Sequence, residues 1–406
     1  MAHILVSAVP HTGHVQPILH VIEALAARGH EVRAYVGSTF AAAAEERGAQ
    51  VVPMEHGIDY DETTVERVFG ERPMNPVRRL SHDIAQIFVG SAPGDLLDLR
   101  GAVADRRPDV IVSDNAHLPS ALLAELEHLP FVALGIQPVI TPDPWVPPFG
   151  PGLRPARGPA GRSFQGLLGR VSNRLVMGRG DRLGQQIRAD LGLPRREGSF
   201  MNWPGEAATA YLQSCAPELD YPRQRPLANV EFVGPVFPPP REDVELPAWW
   251  GDLLAAREAG RKVVLVTQGT VAVDPDNLIR PTVQGLAGED VFVVATAARL
   301  DRSQVVHVDL AAPDGGPVRA TIRVEDFVPF DRLLPHVDVM VSNGGYGGVQ
   351  LALAHGVPLV TSGVSEDKRE VGARVGWSGV GIALQKQRPT PDKLRAAIRS
   401  VLDEPR

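Results

Sequence analysis

The sequence predicts an α/β protein made of two doubly wound halves, each a parallel sheet with helices on both faces. Three observations predict it. Short apolar runs alternate with helical stretches early in the chain, a Pro-rich break at PVFPPPREDVELPAW (235–249) interrupts them, and the alternation restarts at KVVLVTQGT (262–270). A length of 406 residues is too great for one small core and fits two domains. The boundaries read as 1–234 and 251–406, joined by a linker at 235–250. The halves share this pattern without a residue-level repeat.

In the first half, HILVSAV (3–9) reads as a buried strand, 17–28 as an amphipathic helix stopped at Gly29, and EVRAYVG (31–37) as the next strand of a βαβ unit. RRPDVIVSD (106–114) is a further strand ending on an acidic residue, followed by a helix over 118–128 and the strand FVALGI (131–136). Residues 56–80 lack periodicity, and 137–163 is dense in Pro and Gly. Both read as long loops, which commonly bind or move. The second half then runs KVVLVTQGT, a helix near 276–288, VFVVATA, TIRVEDFVPF, a short helix at 330–335, DVMVSNGG, another helix, PLVTSG, and a closing helix in TPDKLRAAIRSVLDEPR. Ligands of such sheets sit beyond the carboxyl ends of the strands, and a crevice between two such domains is the expected ligand site.

Composition narrows the function classes. Hydrophobic residues at 44% and charged ones at 22% exclude a disordered or fibrous chain. A net charge of −7 argues against a nucleic-acid partner, which a basic face would announce. The one cysteine, Cys215, cannot close an internal disulfide and reads as a small core residue of a protein in a reducing compartment. Ile4 to Val9 is too short for a signal or a bilayer span, and no basic segment precedes it. A cytoplasmic protein is therefore expected, with monomer and homodimer both left open by the sequence.

Two loops carry candidate chemistry. SNGGYGGVQLALAHG (342–356) sets four glycines between a strand and a helix beginning near Gly347, so that backbone N–H groups and the positive helix end can face an anion. It matches neither the dinucleotide fingerprint nor the P-loop spacing. The turn TQGT (267–270) adds the hydroxyl of Thr270, and the charges of SEDKREV (365–371) follow the strand PLVTSG. In HTGHVQP (11–17), His14 follows the first strand, while Asp114 ends a later strand of the same sheet. A carboxylate on one imidazole nitrogen fixes the tautomer and leaves the other nitrogen as a general base. His11 and His3 are spare candidates. A metal site on His11 and His14 lacks further ligands at suitable spacing.

GHVQP (13–17), the strand-end Asp114, the QGT turn and DFVPFDRLLPHVDVMVSNGGYGGVQLALAHGVPLV (326–360) resemble the inverting nucleotide-sugar-dependent glycosyltransferases with two Rossmann-like domains facing across a cleft, the GT-B type. That group includes macrolide and antibiotic glycosyltransferases and plant secondary-metabolite enzymes. The resemblance spans nearly the whole chain in order. It implies His14 as the base for an acceptor hydroxyl, Asp114 as its orienting partner, and Gly13 as a point of close approach. It implies a diphosphate on Asn343, Gly344, Gly345, Gly347, Gly348 and Thr270, a base stacked on Phe327 beside the Val328 backbone, and sugar hydroxyls at Asp367 and Lys368. No cofactor and no metal are implied, the nucleotide sugar being a co-substrate.

Departures from the family pattern are informative. Asn343 stands where the family has a histidine, Phe327 where it has a tryptophan, and Lys368 where it has a glutamine, which points to an unusual sugar. Leu351, beside Gln350, stands where many UDP-sugar enzymes carry a ribose-binding glutamate, which tilts the donor toward dTDP. The sequence also stops soon after its last helix, earlier than in most of the family, so that either it is cut short or the family's C-terminal contact is reduced. Phe88, Trp145 and Phe149 are candidates to line a pocket for a small hydrophobic acceptor. The motifs DYD (59–61) and DPD (274–276) read as chance matches to a metal-binding DxD. Rival readings are a nucleotide-sugar epimerase or hydrolase and a non-catalytic helper protein.

Overall fold

The computed structural model describes residues 1–70, 75–225, 228–237, 244–269, 274–296 and 317–404. Thr270 and part of the predicted linker, 238–243, lie outside the described residues. The chain divides into two compact units. The first comprises 1–148, 155–216 and 222–237, and the second 149–154, 217–221 and 238–406.

The first unit holds a sheet of seven strands among the described residues: β1 (His3–Ser7), β2 (Glu31–Tyr35), β3 (Ala49–Val51), β4 (Val110–Asp114), β5 (Phe131–Gly135), β6 (Ala210–Gln213) and β7 (Val230–Phe232). They lie in the order β3-β2-β1-β4-β5-β6-β7, every pairing parallel. The strand alternation sorts side chains between two cores. Leu5 packs with Ile111 and Phe131 on one face, while Ile4 and Val6 pack with Val32, Ala34 and Leu134 on the other. Burial on both faces is why these strands read as plain apolar runs.

The second unit repeats the design with β8 (Lys262–Thr267), β9 (Val291–Thr296), β10 (Thr321–Glu325), β11 (Val339–Ser342), β12 (Leu359–Thr361) and β13 (Gly381–Ala383). Their order is β10-β9-β8-β11-β12-β13, again all parallel, with Val264, Val266, Val293 and Val341 in one core layer. The order is that of a dinucleotide-binding sheet, whose crevice opens where the winding reverses. The reversal falls between β1 and β4 in the first unit and between β8 and β11 in the second.

Local structure departs from the sequence reading in three places. The first helix spans Thr12–Ala27 rather than beginning at 17, so Pro17 lies inside it, in the second turn, where its missing N–H gives up one bond within the helix. The aperiodic stretch 56–80 contains the helix Val65–Phe69 and the start of Pro76–Ala85. The Pro- and Gly-rich loop ends at Gly158, where a long helix, Pro159–Val176, begins with proline in its first turn.

Candidate active site

At the switch point of the first sheet, Ser7 of β1 is paired with Ser113 of β4, so the residues that follow each strand emerge side by side. His14 lies in the first turn of Thr12–Ala27 and Asp114 at the end of β4. His14 Nδ1 is 3.1 Å from Asp114 Oδ1, with the imidazole 17% exposed and the carboxylate at 0%. Asp114 also accepts the Val9 N–H on Oδ2 and the Ala116 N–H on Oδ1, both at 2.8 Å. Burial pushes its pKa up, but the charge and hydrogen bond of His14, the charge of His117 and the Val9 N–H outweigh that effect and hold the carboxyl below its ordinary value. The dyad read from the sequence is therefore assembled, and the Nδ1 nitrogen is the one engaged. Phe88 is brought to it as well, its ring 6.0 Å from that of His14. A Cβ on Gly13 would meet only His11 Nδ1, at 3.8 Å, so the helix surface there is open to an approaching molecule.

His11 has a partner that sequence reasoning missed. Its Nδ1 is 3.4 Å from Oε1 of Glu62, and the Thr12 N–H donates to the same oxygen. The Glu62 carboxylate is nearly buried at the positive end of the His14 helix, a stabilising position. The His11 and His14 rings meet edge to face at 5.9 Å. The only sequence signal was an acidic residue inside an aperiodic loop. The other candidate, His3, is far along β1 at its opposite end, paired with Glu31 and Arg106.

A second candidate region lies at the switch point of the other sheet, where Thr267 of β8 pairs with Ser342 of β11. Gly344 adopts φ +90°, a left-handed conformation that glycine takes without strain, and its N–H donates to Ser342 Oγ at 3.1 Å. Asn343 is held by its own amide, donating from Nδ2 to the Gln268 carbonyl and accepting the Gly345 N–H on Oδ1 at 3.2 Å. The helix Tyr346–Ala354 begins there, and its first closing bond runs from Val349 N–H to the Gly345 carbonyl. The N–H groups of Gly347 and Gly348 thus have no partner within the helix, as is general for a helix's first turn. A Cβ on Gly347 would meet nothing, whereas one on Gly348 would touch Met340, so Gly347 faces open space and Gly348 faces the sheet.

A small cleft beside this loop is lined by Gln268, Asn343, Ser362, Gly363, Ser365 and Lys368, among others. Lys368 is buried, with Nζ 3.3 Å from Ser365 Oγ and paired with the Glu366 carboxylate. Its charge is already compensated, which reduces what it can offer an acidic sugar. Asp367 caps the helix Lys368–Ser378 without a side-chain cap bond. Phe327 is 75% exposed while Val328 is buried, so a flat apolar ring is presented next to fixed backbone. Gln350 is 3% exposed and Leu351 half-buried.

The acceptor candidates are divided between the two units. Trp145 is 39% exposed with the Arg162 guanidinium 5.5 Å above its ring, in the first unit with Phe88. Phe149 belongs to the segment 149–154 of the second unit. The two acidic tripeptides have local duties: Asp61 binds Thr63 and Thr64, and Asp274 caps a short turn through Asp276 N–H at 3.0 Å. Among the described residues no group of three or more His, Cys, Asp or Glu is arranged to hold a metal, and no helix is long and apolar enough to cross a membrane.

Two doubly wound parallel sheets, each presenting a strand-loop-helix turn at its switch point, define the GT-B architecture. Residues 291–406 match the erythromycin biosynthesis protein CIII-like C-terminal domain family. The chain is 38% identical over 407 residues to 4'-demethylrebeccamycin synthase of Lentzea aerocolonigenes, covering 100% of this chain and 93% of that protein. It is 31% identical to UDP-glucosyltransferase A1 of Starmerella bombicola, covering 99% and 86%. The glycotransferase of kitacinnamycin superposes with a TM-score of 0.71 at 24% identity, covering 100% of this chain and 91% of that one. The chain belongs to the GT-B inverting glycosyltransferases that use nucleotide sugars, in the group that contains antibiotic and other natural-product enzymes.

Proposed function

We propose that the protein transfers a hexosyl unit from a nucleoside diphosphate sugar, dTDP favoured over UDP, to a hydroxyl of a small hydrophobic natural product. The observation that carries this reading is the hydrogen bond from His14 Nδ1 to buried Asp114, which leaves Nε2 to take a proton. The acceptor O–H gives its proton to Nε2 as the oxygen attacks the anomeric carbon. The bond from that carbon to the diphosphate oxygen breaks on the opposite face, the configuration inverts, and the nucleoside diphosphate leaves with the electron pair. The first-turn N–H groups at Gly347 and Gly348, with the Asn343 loop, would stabilise the departing charge. Thr270 remains a further proposed donor, and Asp367 and Lys368 the proposed sugar contacts. Trp145, Phe149 and Phe88 are the proposed apolar surface for the acceptor.

The donor preference rests on Leu351. Gln350, its polar neighbour, is turned into the interior, so the partly exposed position next to it is apolar and cannot hold a ribose 2′-hydroxyl by charge. The name of the Starmerella bombicola relative pulls toward UDP, and calorimetric titration with both nucleotides decides. Binding of dTDP at least as tight as UDP is expected, and Leu351→Glu should move the preference toward UDP. A clear wild-type preference for UDP removes this part of the reading.

Phe327 supplies a second test. Base stacking on an aromatic ring is worth about 1–3 kcal/mol, so Phe327→Ala should weaken nucleotide binding by about tenfold. Its 75% exposure means that the fold should not suffer. Unaltered nucleotide affinity in this variant would remove Phe327 from the donor site.

A further inference from the structure

We propose that the helix Pro159–Val176, with Pro76–Ala85 beside it, forms a basic amphipathic surface that seats the protein on an anionic lipid bilayer. None of the 18 residues of the longer helix is buried. Phe164, Leu167, Val171 and Leu175 are 65%, 53%, 48% and 58% exposed, and their spacing of three and four residues sets them in one stripe. Val77 and Leu80 of the neighbouring helix are 48% and 50% exposed. Six large apolar side chains on two neighbouring helices form the kind of patch that a soluble surface seldom carries unused.

The charge on this surface identifies the occupant. The helix carries Arg162, Arg170 and Arg174 and no Asp or Glu, on a chain whose net charge is −7. Arg170 and Arg174 are exposed. A cationic helix with a Phe and Leu stripe lies in the headgroup plane of an anionic membrane, its apolar side chains inserted and its arginines reaching phosphates. A symmetric pairing of two copies through this face would set arginines against arginines. The helix packs against its neighbours with half-buried residues such as Leu168 and Val176 and leaves Phe164, Leu167, Val171 and Leu175 outward, an apolar stripe flanked by arginines that suits a deformable lipid layer. No described helix can span a bilayer, so the contact lies on the surface.

Sedimentation of the full chain with vesicles tests this. Vesicles of phosphatidylcholine with phosphatidylglycerol should carry the protein down, and phosphatidylcholine alone should not. Leu167→Glu should weaken the binding by about tenfold, and neutralising Arg170 and Arg174 to glutamine should cost about fivefold each. All three positions are exposed, so melting and circular dichroism should stay unchanged. No sedimentation with the anionic vesicles, or equal sedimentation of wild type and Leu167→Glu, overturns the proposal. Self-association that Leu167→Glu abolishes, or binding to polyglutamate in place of vesicles, also overturns it and assigns the face to a second copy or an acidic protein.

Discussion

His14→Ala is expected to lower turnover by about 10²-fold or more, the usual size of a general-base contribution, while nucleotide affinity stays near wild type. The split follows from the geometry. His14 is in the first unit and bonds to Asp114, whereas the glycine loop, Asn343 and Phe327 belong to the second. Removing the imidazole leaves these groups of the second unit untouched. Steady-state kinetics beside calorimetry with the nucleotide measure the two quantities, and unchanged turnover would remove His14 from the mechanism. Asp114→Asn should lower turnover too, with a cost in stability. Both oxygens of Asp114 accept backbone N–H groups, and an amide would turn an N–H toward one of these donors. Because the folded carboxyl is held below its ordinary value, its contribution to stability is present above the ordinary carboxylate range and is lost as pH falls through the lowered value. A loss of activity between pH 6 and 7 would therefore not arise from Asp114.

The second large effect is on stability. Arg374→Leu is expected to destabilise the second unit by about 3–5 kcal/mol, the cost of leaving buried charges unpaired. Arg374 donates from Nε to Asp220 Oδ1 at 2.7 Å and from Nη1 to Glu370 Oε2 at 3.1 Å, and all three side chains are less than 5% exposed. Its guanidinium also lies 4.3 Å from the centre of the Tyr221 ring. The other oxygen of Glu370 accepts the N–H groups of Gly150 and Gly152, at 2.8 and 2.7 Å. Losing the arginine thus strands two carboxylates and loosens the segment that carries Phe149. Urea unfolding should show the loss as a lower midpoint, and a variant within about 0.5 kcal/mol of wild type would contradict the network's role.

The strands were legible because parallel strands buried on both faces must be short apolar runs, and VIVSD and VMVS are such runs. The glycine loop was legible because four glycines between a strand and a helix mark a turn that side chains would obstruct, and Gly344 there takes a left-handed φ of +90°. The helix Pro159–Val176 was not. Glycines at 161, 166 and 169 lower its intrinsic preference, and its apolar stripe has no buried counterpart, so the usual inward periodicity does not mark it as a core element. Glu62 was equally hidden, since a carboxylate serving a helix end 50 residues away leaves no local pattern.

By itself the sequence determined two doubly wound halves and the chemical types at their switch points, because backbone periodicity and residue chemistry are local properties. Only the tertiary structure decided that Glu62 meets His11, that Lys368 is spent on Glu366, and that residues 149–154 and 217–221 join the second unit through Glu370 and Arg374. Those choices depend on pairing buried charges and backbone donors across long separations, and a burial cost is defined only once the chain has folded.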